Sequence, residues 1–304
     1  MLPTIRSCKD SCVFFDFAGG NGTSDAETLE NRVAVCDCHR PHRMAVGEGF
    51  GQRLTAFGQL QTRVAIPLLW TVCEAKGCSD NAERREIVER FIAEFGRESI
   101  GFVTADREFA SKEWLEFLVA EKIGFRLRIK ANARITDKRG RLMRASQLWK
   151  RMPMGGRMQC QRRRNLWNQS VFVAVCRKED GDAVIVVSSE RTRQILREYG
   201  RRWEIETLFG NLKTRGFRLE ETHLTDSERV SRLLSLLTMA GCWALLAGEF
   251  ESAAAPIKIK KHGRAEKSIF RLGFETLRNC FCRIQTNLRE RERFQQLTLL
   301  LSCT

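Results

Sequence analysis

One spacing in the second half of the chain constrains the fold more than any other feature. Tyr199 is the only tyrosine in a chain with 19 phenylalanines, and it begins the pattern Tyr199-x2-Arg202-x3-Glu206-x6-Lys213. At about 100° per residue, a helix over 191–214 would place these four side chains on one narrow stripe. A separate apolar stripe can pack on a core and consists of Ile205, Leu208, Phe209 and Leu212.

The four polar side chains of this stripe suit one kind of chemistry. A carboxylate such as Glu206 can bind a metal ion, while guanidinium and ammonium groups beside it can bind phosphates. The solvated face of a charge-rich helix would carry similar residues without any function. However, three such residues at fixed offsets from one tyrosine arise by chance on the order of once in several thousand trials. We therefore favour the functional interpretation.

The same segment resembles the tyrosine-arginine-glutamate-lysine signature of bacterial insertion-sequence DDE transposases, of the insertion-sequence-four type. The sequence TLFGNLKTRGFRLEETHLTD after Glu206 is similar to that family too, and the likeness covers most of residues 64–245. The resemblance implies a ribonuclease-H-like core in which Glu206 is the glutamate of the catalytic triad. It also implies that Tyr199, Arg202 and Lys213 are accessory residues that hold the transposon-end DNA.

A second carboxylate stands where α/β sheets place their sites. Asp106 directly follows IGFVTA (100–105), a predicted buried strand, and the carboxyl ends of such strands line a crevice. An N-cap or turn aspartate is the ordinary explanation for an arbitrary residue in this position. However, TADREF followed by Lys112-Glu113-Trp114 resembles the second-aspartate motif of the same family. The resemblance therefore implies that Asp106 is the second triad carboxylate.

The chemistry implied by this resemblance requires a divalent metal. Carboxylates from separate elements converge on two ions that activate the attacking oxygen and stabilise the leaving oxygen at phosphorus. Hard oxygen ligands select Mg²⁺ or Mn²⁺ over softer metals. We therefore expect Asp106 and Glu206 to be metal ligands, with their carboxyl groups facing one crevice, and Mg²⁺ (or Mn²⁺) to be the cofactor.

The first aspartate of the family has no clear counterpart in this chain. Residues 36–63 contain no Asp-Arg-Thr motif, whereas codons shifted by one nucleotide over His39–Met44 can spell Thr-Asp-Arg-Thr-Glu-Trp between two apolar strands. We hypothesise that residues 1–62 are a frame-shifted, poorly ordered segment and that the frame is restored near Arg63. Asp37 is the only nearby candidate in the frame as written.

The frame-shift hypothesis has structural consequences. The first core strand would be absent or badly formed, and the predicted strand at 64–72 would lose a partner and expose an edge. The chain would be an impaired copy of a transposase. The segment also contains a cluster of cysteines and histidines without a standard zinc-finger spacing, Cys8, Cys12, Cys36, Cys38, His39 and His42. Under this hypothesis the cluster would be a by-product of the shifted frame and not a metal site.

The charge of the chain indicates a polyanionic partner. Lysine and arginine number 52 against 37 acidic residues, which gives a net charge of +15, and double-stranded DNA (transposon ends and target) is the expected partner. No run of 18 apolar residues and no signal sequence is evident, so we expect no membrane association. Twelve cysteines without a signal indicate a reducing compartment, the cytoplasm. A homodimer in the DNA complex is one expected arrangement.

The pattern of the remaining chain predicts alternating strands and helices. From residue 64 it predicts a strand over 64–72 with Pro67 at an edge or bulge, a helix over 83–95 capped within 79–81, a helix over 112–122 capped by Ser111 and a half-exposed strand over 125–132. A β-rich insertion follows over 133–189. The rest is predicted to be a buried core helix over 230–248, an exposed basic linker over 251–268 and a helical tail over 269–304. In the insertion, Arg162–Arg164 are as consistent with a solvated hairpin as with DNA contact.

The predicted fold is therefore α/β, a ribonuclease-H-like core with a β-rich insertion and a helical C-terminal part. The predicted domains are an N-terminal segment (1–62), the core (63–250), and a basic linker with a helical tail (251–304). DNA transposition is the predicted function. A ribonuclease-H-like nuclease and a non-catalytic basic DNA-binding protein are the alternatives, which strand transfer and Mg²⁺-dependent cleavage would distinguish.

Overall fold

The computed structural model describes residues 33–37, 53–61, 64–73, 80–212 and 216–301. The described residues form two compact units with a boundary between Phe209 and Gly210. The residues up to Phe209 are called the N-terminal unit below, and those from Gly210 are called the C-terminal unit. Lys213 and the segment His39–Met44 lie outside the described residues, as does most of the cysteine and histidine cluster. The predicted domain boundaries near residues 62 and 250 stay a prediction.

The N-terminal unit contains eleven strands and four helices in its described part. They are β1 (Val33–Asp37), β2 (Arg53–Gln61), β3 (Val64–Cys73), α1 (Asn81–Phe95), β4 (Val103–Ala105), α2 (Lys112–Ala120), β5 (Phe125–Arg128), β6 (Arg134–Thr136), β7 (Leu142–Arg144), β8 (Arg157–Gln159), β9 (Arg164–Leu166), β10 (Gln169–Arg177), β11 (Ala183–Ser188), α3 (Ile195–Gly200) and α4 (Trp203–Gly210). Short 3₁₀ turns cover Arg97–Ser99 and Ala145–Leu148. The predicted β-rich character of 133–189 is confirmed, because β6 to β11 all lie within this segment, whereas its role as an insertion in the core stays a prediction.

The strands form two sheets. β1, β2 and β3 make an antiparallel sheet in that order, and β1 also contacts β4. The larger sheet has the order β4-β5-β11-β10-β9-β6-β7, with β8 paired to β10. β4 and β5 are parallel, joined by α2, whereas the other pairs are antiparallel. Asp106 thus follows a strand at the end of the larger sheet, beside β1.

The strand β3 has a partner, contrary to the prediction from the frame-shift hypothesis. β2 pairs with β3 over its length, and β1 forms where the first strand was expected to be absent or badly formed. The register shifts so that Phe57 pairs with Leu69 but Gly58 pairs with Pro67. Proline has no amide hydrogen to donate, and this bulge beside Pro67, in the end strand of its sheet, confirms the predicted position. The frame shift itself stays a prediction.

The predicted caps of the first two helices are confirmed. Asp80 accepts a hydrogen bond from the Glu83 amide at 2.9 Å, and the Glu83 carboxylate accepts one from the Asp80 amide at 3.0 Å. This reciprocal capping box starts α1 at Asn81, slightly earlier than predicted. Ser111 accepts a hydrogen bond from the Trp114 amide at 3.1 Å and starts α2.

The prediction that β5 is a half-exposed strand is wrong. Its apolar residues Phe125 and Leu127 are buried, but so is Arg126, which is only 3% exposed. The reason is that α3 contacts the face of β5 that carries the arginines. Both faces of this short strand are therefore covered, and its arginines lie inside the N-terminal unit.

The C-terminal unit is helical in its described part. It contains the 3₁₀ turn Leu219–Thr222, α5 (Ser227–Ala254), α6 (Ile269–Arg283) and α7 (Leu288–Leu299), which confirms the predicted helical tail. Trp243 donates a hydrogen bond to the Leu297 carbonyl at 2.9 Å and packs edge-on against Phe281 and Phe294. The segment between α5 and α6 is mostly exposed, as predicted for the basic linker.

The helix α5 is only partly buried, so the prediction of a buried core helix is wrong for one of its faces. Leu236 is 58% exposed, whereas the opposite side packs on α6. A β-carbon built on Gly273 would lie 1.8 Å from the Ala244 carbonyl oxygen, and one on Gly248 would lie 2.1 Å from the Ile269 carbonyl oxygen. The two helices can approach this closely only with glycine there. α5 is long and apolar enough to cross a membrane, but core helices of soluble proteins share this property.

We predict that a methyl group at this helix crossing destabilises the C-terminal unit. Gly248→Ala places the new group against backbone, which cannot move aside, and should lower the free energy of unfolding by about 1–3 kcal/mol. Gly241→Ala lies in the same helix with ordinary clearance, the nearest atom being 3.9 Å away, and should be neutral or stabilising by up to about 1 kcal/mol. Denaturant unfolding of both variants measures the difference, and equal effects would contradict the close crossing.

Candidate active site

The carboxylate of Asp106 is the centre of the candidate site. One of its oxygens, Oδ1, accepts a hydrogen bond from the Arg107 backbone amide at 2.7 Å. Arg128 Nη1 and the Tyr199 hydroxyl each lie 3.4 Å from the same oxygen. Arg128 extends from β5, the parallel neighbour of β4, and its Nη2 also lies 3.7 Å from Asp182. Three donors from different elements therefore converge on one carboxylate oxygen.

These donors keep Asp106 ionised. Burial alone would raise the pKa of its carboxyl group. The Arg107 amide and the guanidinium groups of Arg202 and Arg128 outweigh burial, so the pKa lies below its ordinary value. At neutral pH Asp106 is consequently a carboxylate available to cations.

Tyr199, Arg202 and Glu206 form the second part of the site. Arg202 Nη2 donates to Glu206 Oε1 at 2.8 Å, and its guanidinium carbon lies 5.8 Å from the centre of the Tyr199 ring. The Tyr199 hydroxyl contacts Asp106 and the charge of Arg202 acts on it, so the structure brings two residues of the spacing to the second predicted carboxylate. Lys213 lies outside the described residues. The prediction that Asp106 and Glu206 lie within metal-bridging reach stays a prediction.

The prediction of one continuous helix over 191–214 is wrong. α3 ends at Gly200, and α4 begins at Trp203. Across the junction the Arg201 amide donates to the Glu198 carbonyl and the Arg202 amide to the Tyr199 carbonyl, at 3.2 and 3.0 Å. These bonds to the third preceding residue tighten the chain into a turn at a glycine, which is a poor residue for a helix interior. The apolar stripe is nevertheless confirmed, with Ile205, Phe209 and Leu212 buried.

At neutral pH Arg202 is a cation and Tyr199 is a neutral phenol. Burial would lower the pKa of Arg202, but the Asp106 and Glu206 carboxylates raise it, as does Tyr199 once it ionises at high pH. Arg202 therefore stays cationic. Burial raises the pKa of Tyr199, with Asp106 adding to the increase and Arg202 opposing it. The phenol is thus neutral at physiological pH and can donate its proton in a hydrogen bond.

The residues Arg126, Arg128 and Glu198 belong to the surroundings of this site but were not among the predicted site residues. Arg126 pairs with Glu198, and Arg128 contacts Asp106. The i, i+2 spacing of two arginines in FRLRIKAN places both on one strand face. That spacing was visible in the sequence, but the assumption of a half-exposed strand assigned the face to solvent.

The donor chemistry of the site suits a hard divalent cation, but the described residues supply an incomplete set of ligands. Asp106 and Glu206 provide carboxylate oxygens of the type that Mg²⁺ and Mn²⁺ prefer. Among the residues that the structure describes, no group of three or more histidines, cysteines, aspartates or glutamates could hold a metal. Asp37 ends β1, which contacts β4. Asp106 and Glu206, each with an arginine partner, are therefore the two predicted ligands whose side chains the structure describes.

Fold and site together define a basic α/β protein with a carboxylate site at a strand end, lined by arginines and a tyrosine. A family model described as the transposase DDE domain matches residues 60–243. This match covers well over half of the chain, which therefore belongs to the DDE transposase family, as the Tyr199 spacing indicated. A comparison with curated proteins finds no match. The insertion-sequence-four type stays a prediction.

We predict that the single tyrosine reports on Asp106. In the unmodified chain the tyrosinate absorbance should appear above the ordinary midpoint for a phenol, because Tyr199 is buried beside a carboxylate. Asp106→Asn removes that negative charge and should lower the midpoint, although burial keeps it raised. Ultraviolet titration of both chains measures the shift, with Asp137→Asn, at a carboxylate in the β-rich insertion paired with Arg141, as the control. An upward shift in Asp106→Asn would contradict the contact.

Proposed function

We propose that this chain is a transposase of an insertion sequence that acts on double-stranded DNA, at transposon ends and target, by Mg²⁺-dependent (or Mn²⁺-dependent) phosphoryl transfer. We further propose that, as encoded, it is an impaired copy that lacks the first catalytic aspartate. The observation that carries the proposal is the convergence of Tyr199 and Arg202, from the family signature, on Asp106 at the end of β4. The chain would work in the cytoplasm, without a membrane, with a homodimer as one arrangement in the DNA complex.

The topology supports the ribonuclease-H-like core that the resemblance implies. An antiparallel trio, β1 to β3, stands beside a parallel pair, β4 and β5, through the contact of β1 with β4. α2 makes the crossover between the parallel strands, and the candidate carboxylate follows the carboxyl end of β4. The β-rich insertion extends the sheet beyond β5.

The distribution of arginines supports DNA as the substrate. Arg202 and Arg128 present planar guanidinium groups at the site, which suit phosphate oxygens. Arg163 lies over the ring of Phe172, which packs in the same cluster as Tyr199. From β4 to the strand beyond β10 there are four strand spacings, or roughly 20 Å. The exposed Arg162 and Arg163 could therefore meet the backbone of a duplex whose phosphate lies at Asp106.

The proposed metal would be held by Asp106 and Glu206. When bound, it would supply charge neutralisation at the phosphate and activation of the attacking oxygen. Two side chains of the protein itself would have roles distinct from that of the metal. Arg202 keeps its charge beside both carboxylates, and the Tyr199 phenol donates a hydrogen bond without itself ionising. Such fixed donors suit the binding and orientation of a phosphodiester.

Two observations support the proposal of an impaired copy. The family match begins at residue 60, close to Arg63, where the frame is predicted to resume. The sequence has counterparts of the second and third carboxylates of the family motifs in Asp106 and Glu206, but no Asp-Arg-Thr motif that would mark the first. Asp37, at the end of β1, is the in-frame alternative for the third.

Restoring the reading frame is the decisive experiment. We expect the chain as encoded to join little or no DNA from the element's own ends to a target in the presence of Mg²⁺. The frame-restored chain should perform this strand transfer, and Asp106→Asn in the restored chain should reduce it by about a hundredfold or more. A gel assay of cleaved and joined products measures all three.

The same assay separates the competing functions. Cleavage without joining by the restored chain would indicate a ribonuclease-H-like nuclease, and DNA retention without cleavage would indicate a non-catalytic DNA-binding protein. Efficient transposition by the chain as encoded would contradict the frame-shift hypothesis. In that event, loss of transposition in Asp37→Asn would identify Asp37 as the first ligand.

We predict that binding of transposon-end DNA depends on specific basic residues. Arg202→Ala, Lys213→Ala and Arg162→Ala should each weaken binding at low salt and reduce the slope of log affinity against log salt by about 1, because each variant neutralises one phosphate fewer. Arg232→Ala removes an equally charged, exposed residue of α5 and should leave both quantities nearly unchanged. Unaltered affinity of the first three variants at low salt would argue against their DNA role.

A further inference from the structure

A buried arginine fixes α3 to β5, the second strand from one end of the larger sheet. Arg126 extends from β5, is 3% exposed, and its Nε lies 2.5 Å from Glu198 Oε2. Its Nη1 donates to the Phe125 carbonyl at 2.9 Å, and its guanidinium carbon lies 4.8 Å from the centre of the Phe102 ring. These three groups contact the planar guanidinium in fixed directions, and the exposed Glu190 carboxylate lies 3.6 Å from Nη2 as a fourth, longer contact.

The carboxylate of Glu198 is equally constrained. Its other oxygen, Oε1, accepts the Thr192 hydroxyl at 2.9 Å, and the side chain is 17% exposed. Gln194, at the start of α3, makes no side-chain cap. The Glu198 carboxylate is therefore the polar group through which this short helix is fixed to β5.

This contact lies next to the candidate site. Tyr199 follows Glu198 in α3, and its hydroxyl reaches Asp106. On the sheet, Arg126 and Arg128 are two residues apart on one face of β5, and Arg128 contacts Asp106. The strand thus contacts the helix through one arginine and the site carboxylate through the other.

We propose that Arg126 and Glu198 are positioning residues, whose buried ion pair sets the place of α3 along β5 and thereby holds the Tyr199 hydroxyl and the Arg202 guanidinium beside Asp106. The inference deepens the proposed function and rests on its assignment of these three residues to one site. Neither Arg126 nor Glu198 needs to touch DNA or metal in this role.

An ion pair can fix this position in a way that apolar packing cannot. Hydrophobic contact is non-directional, so Ile195 and the neighbouring valines would tolerate a small slide of α3 over the sheet. Arg126 Nη2 also lies 3.6 Å from Glu190, but that side chain is 69% exposed. A slide that separated Glu198 from Arg126 would therefore deprive the buried guanidinium of its only short, buried carboxylate contact among the described residues, which is unfavourable. The arginine also uses separate nitrogens for Glu198 and for Phe125, which the single ammonium group of a lysine could not reproduce.

The single tyrosine makes the proposal measurable on the full-length free protein. A chain labelled with ¹³C at the tyrosine ζ carbon has one signal, from Tyr199. In the unmodified chain we expect one sharp signal that a soluble nitroxide broadens little, because Tyr199 is only 7% exposed. In Arg126→Met and in Glu198→Gln the signal should move toward the position of free tyrosine or split, and nitroxide broadening should increase several-fold.

Controls separate positioning from general destabilisation. Arg141→Met removes an exposed arginine paired with Asp137 and should leave the Tyr199 signal unchanged. Arg126→Lys keeps the charge but loses the planar donors, so it should give an intermediate displacement. The double variant Arg126→Met/Glu198→Leu leaves no buried charge unpaired, so it should fold and still show a displaced, more accessible tyrosine.

Circular dichroism identifies the folded variants to which these expectations apply. A folded Arg126→Met chain with the unmodified Tyr199 signal and the unmodified nitroxide broadening would overturn the proposal. Where the single variants unfold, the double variant or Arg126→Lys decides by the same criterion. Since the measurement uses neither DNA nor metal, the positioning role and the transposase function can fail separately.

Discussion

The candidate site depends on charge buried on one face of β5. A guanidinium removed from water requires a carboxylate and further acceptors, because the cost of desolvation is otherwise large. Arg126 meets this requirement with Glu198 of α3, and the partly buried Arg128 meets it with Asp106 after β4. The contacts that satisfy the two arginines therefore also place α3 beside the carboxyl end of β4. The Tyr199 hydroxyl of α3 donates a hydrogen bond to Asp106 there.

The balance of charge at the site follows from the same contacts. Both candidate carboxylates face guanidinium groups, Asp106 with Arg128 and Glu206 with Arg202. In the proposed function, a phosphodiester would add negative charge to this arrangement. The arginines would turn to the phosphate when a metal cation replaced them at the carboxylates, so the binding of the cation and the binding of DNA would favour each other. The net charge of +15 supplies long-range attraction, but this local exchange is what would make the site selective for phosphate with a cation.

Local patterns in the sequence predicted much of this arrangement. Capping residues, the β-rich character of 133–189 and the pairing of Arg202 with Glu206 follow from interactions over a few residues. The burial of Arg126 did not follow, because it depends on what packs against the strand from elsewhere in the chain. The break between α3 and α4 has a local signal in Gly200, which the spacing argument did not use. A strand with alternating arginines looks half-exposed until a helix carrying a carboxylate covers it. Long-range ion pairs such as Arg126 with Glu198 are invisible to periodicity.

The strands β1 and β2 show why the backbone alone does not decide between the two reading frames. Strand pairing uses main-chain amide and carbonyl groups that every residue except proline provides, and the exposed edge of β3 would accept any extended segment of sufficient β-propensity. A strand can therefore occupy the position of β2 whether or not its side chains were selected for it. Under the frame-shift hypothesis, the two frames would differ in the residue at the carboxyl end of β1, next to β4. In the frame as written that residue is Asp37, so the hypothesis depends on the identity of the third carboxylate and not on the presence of the strand.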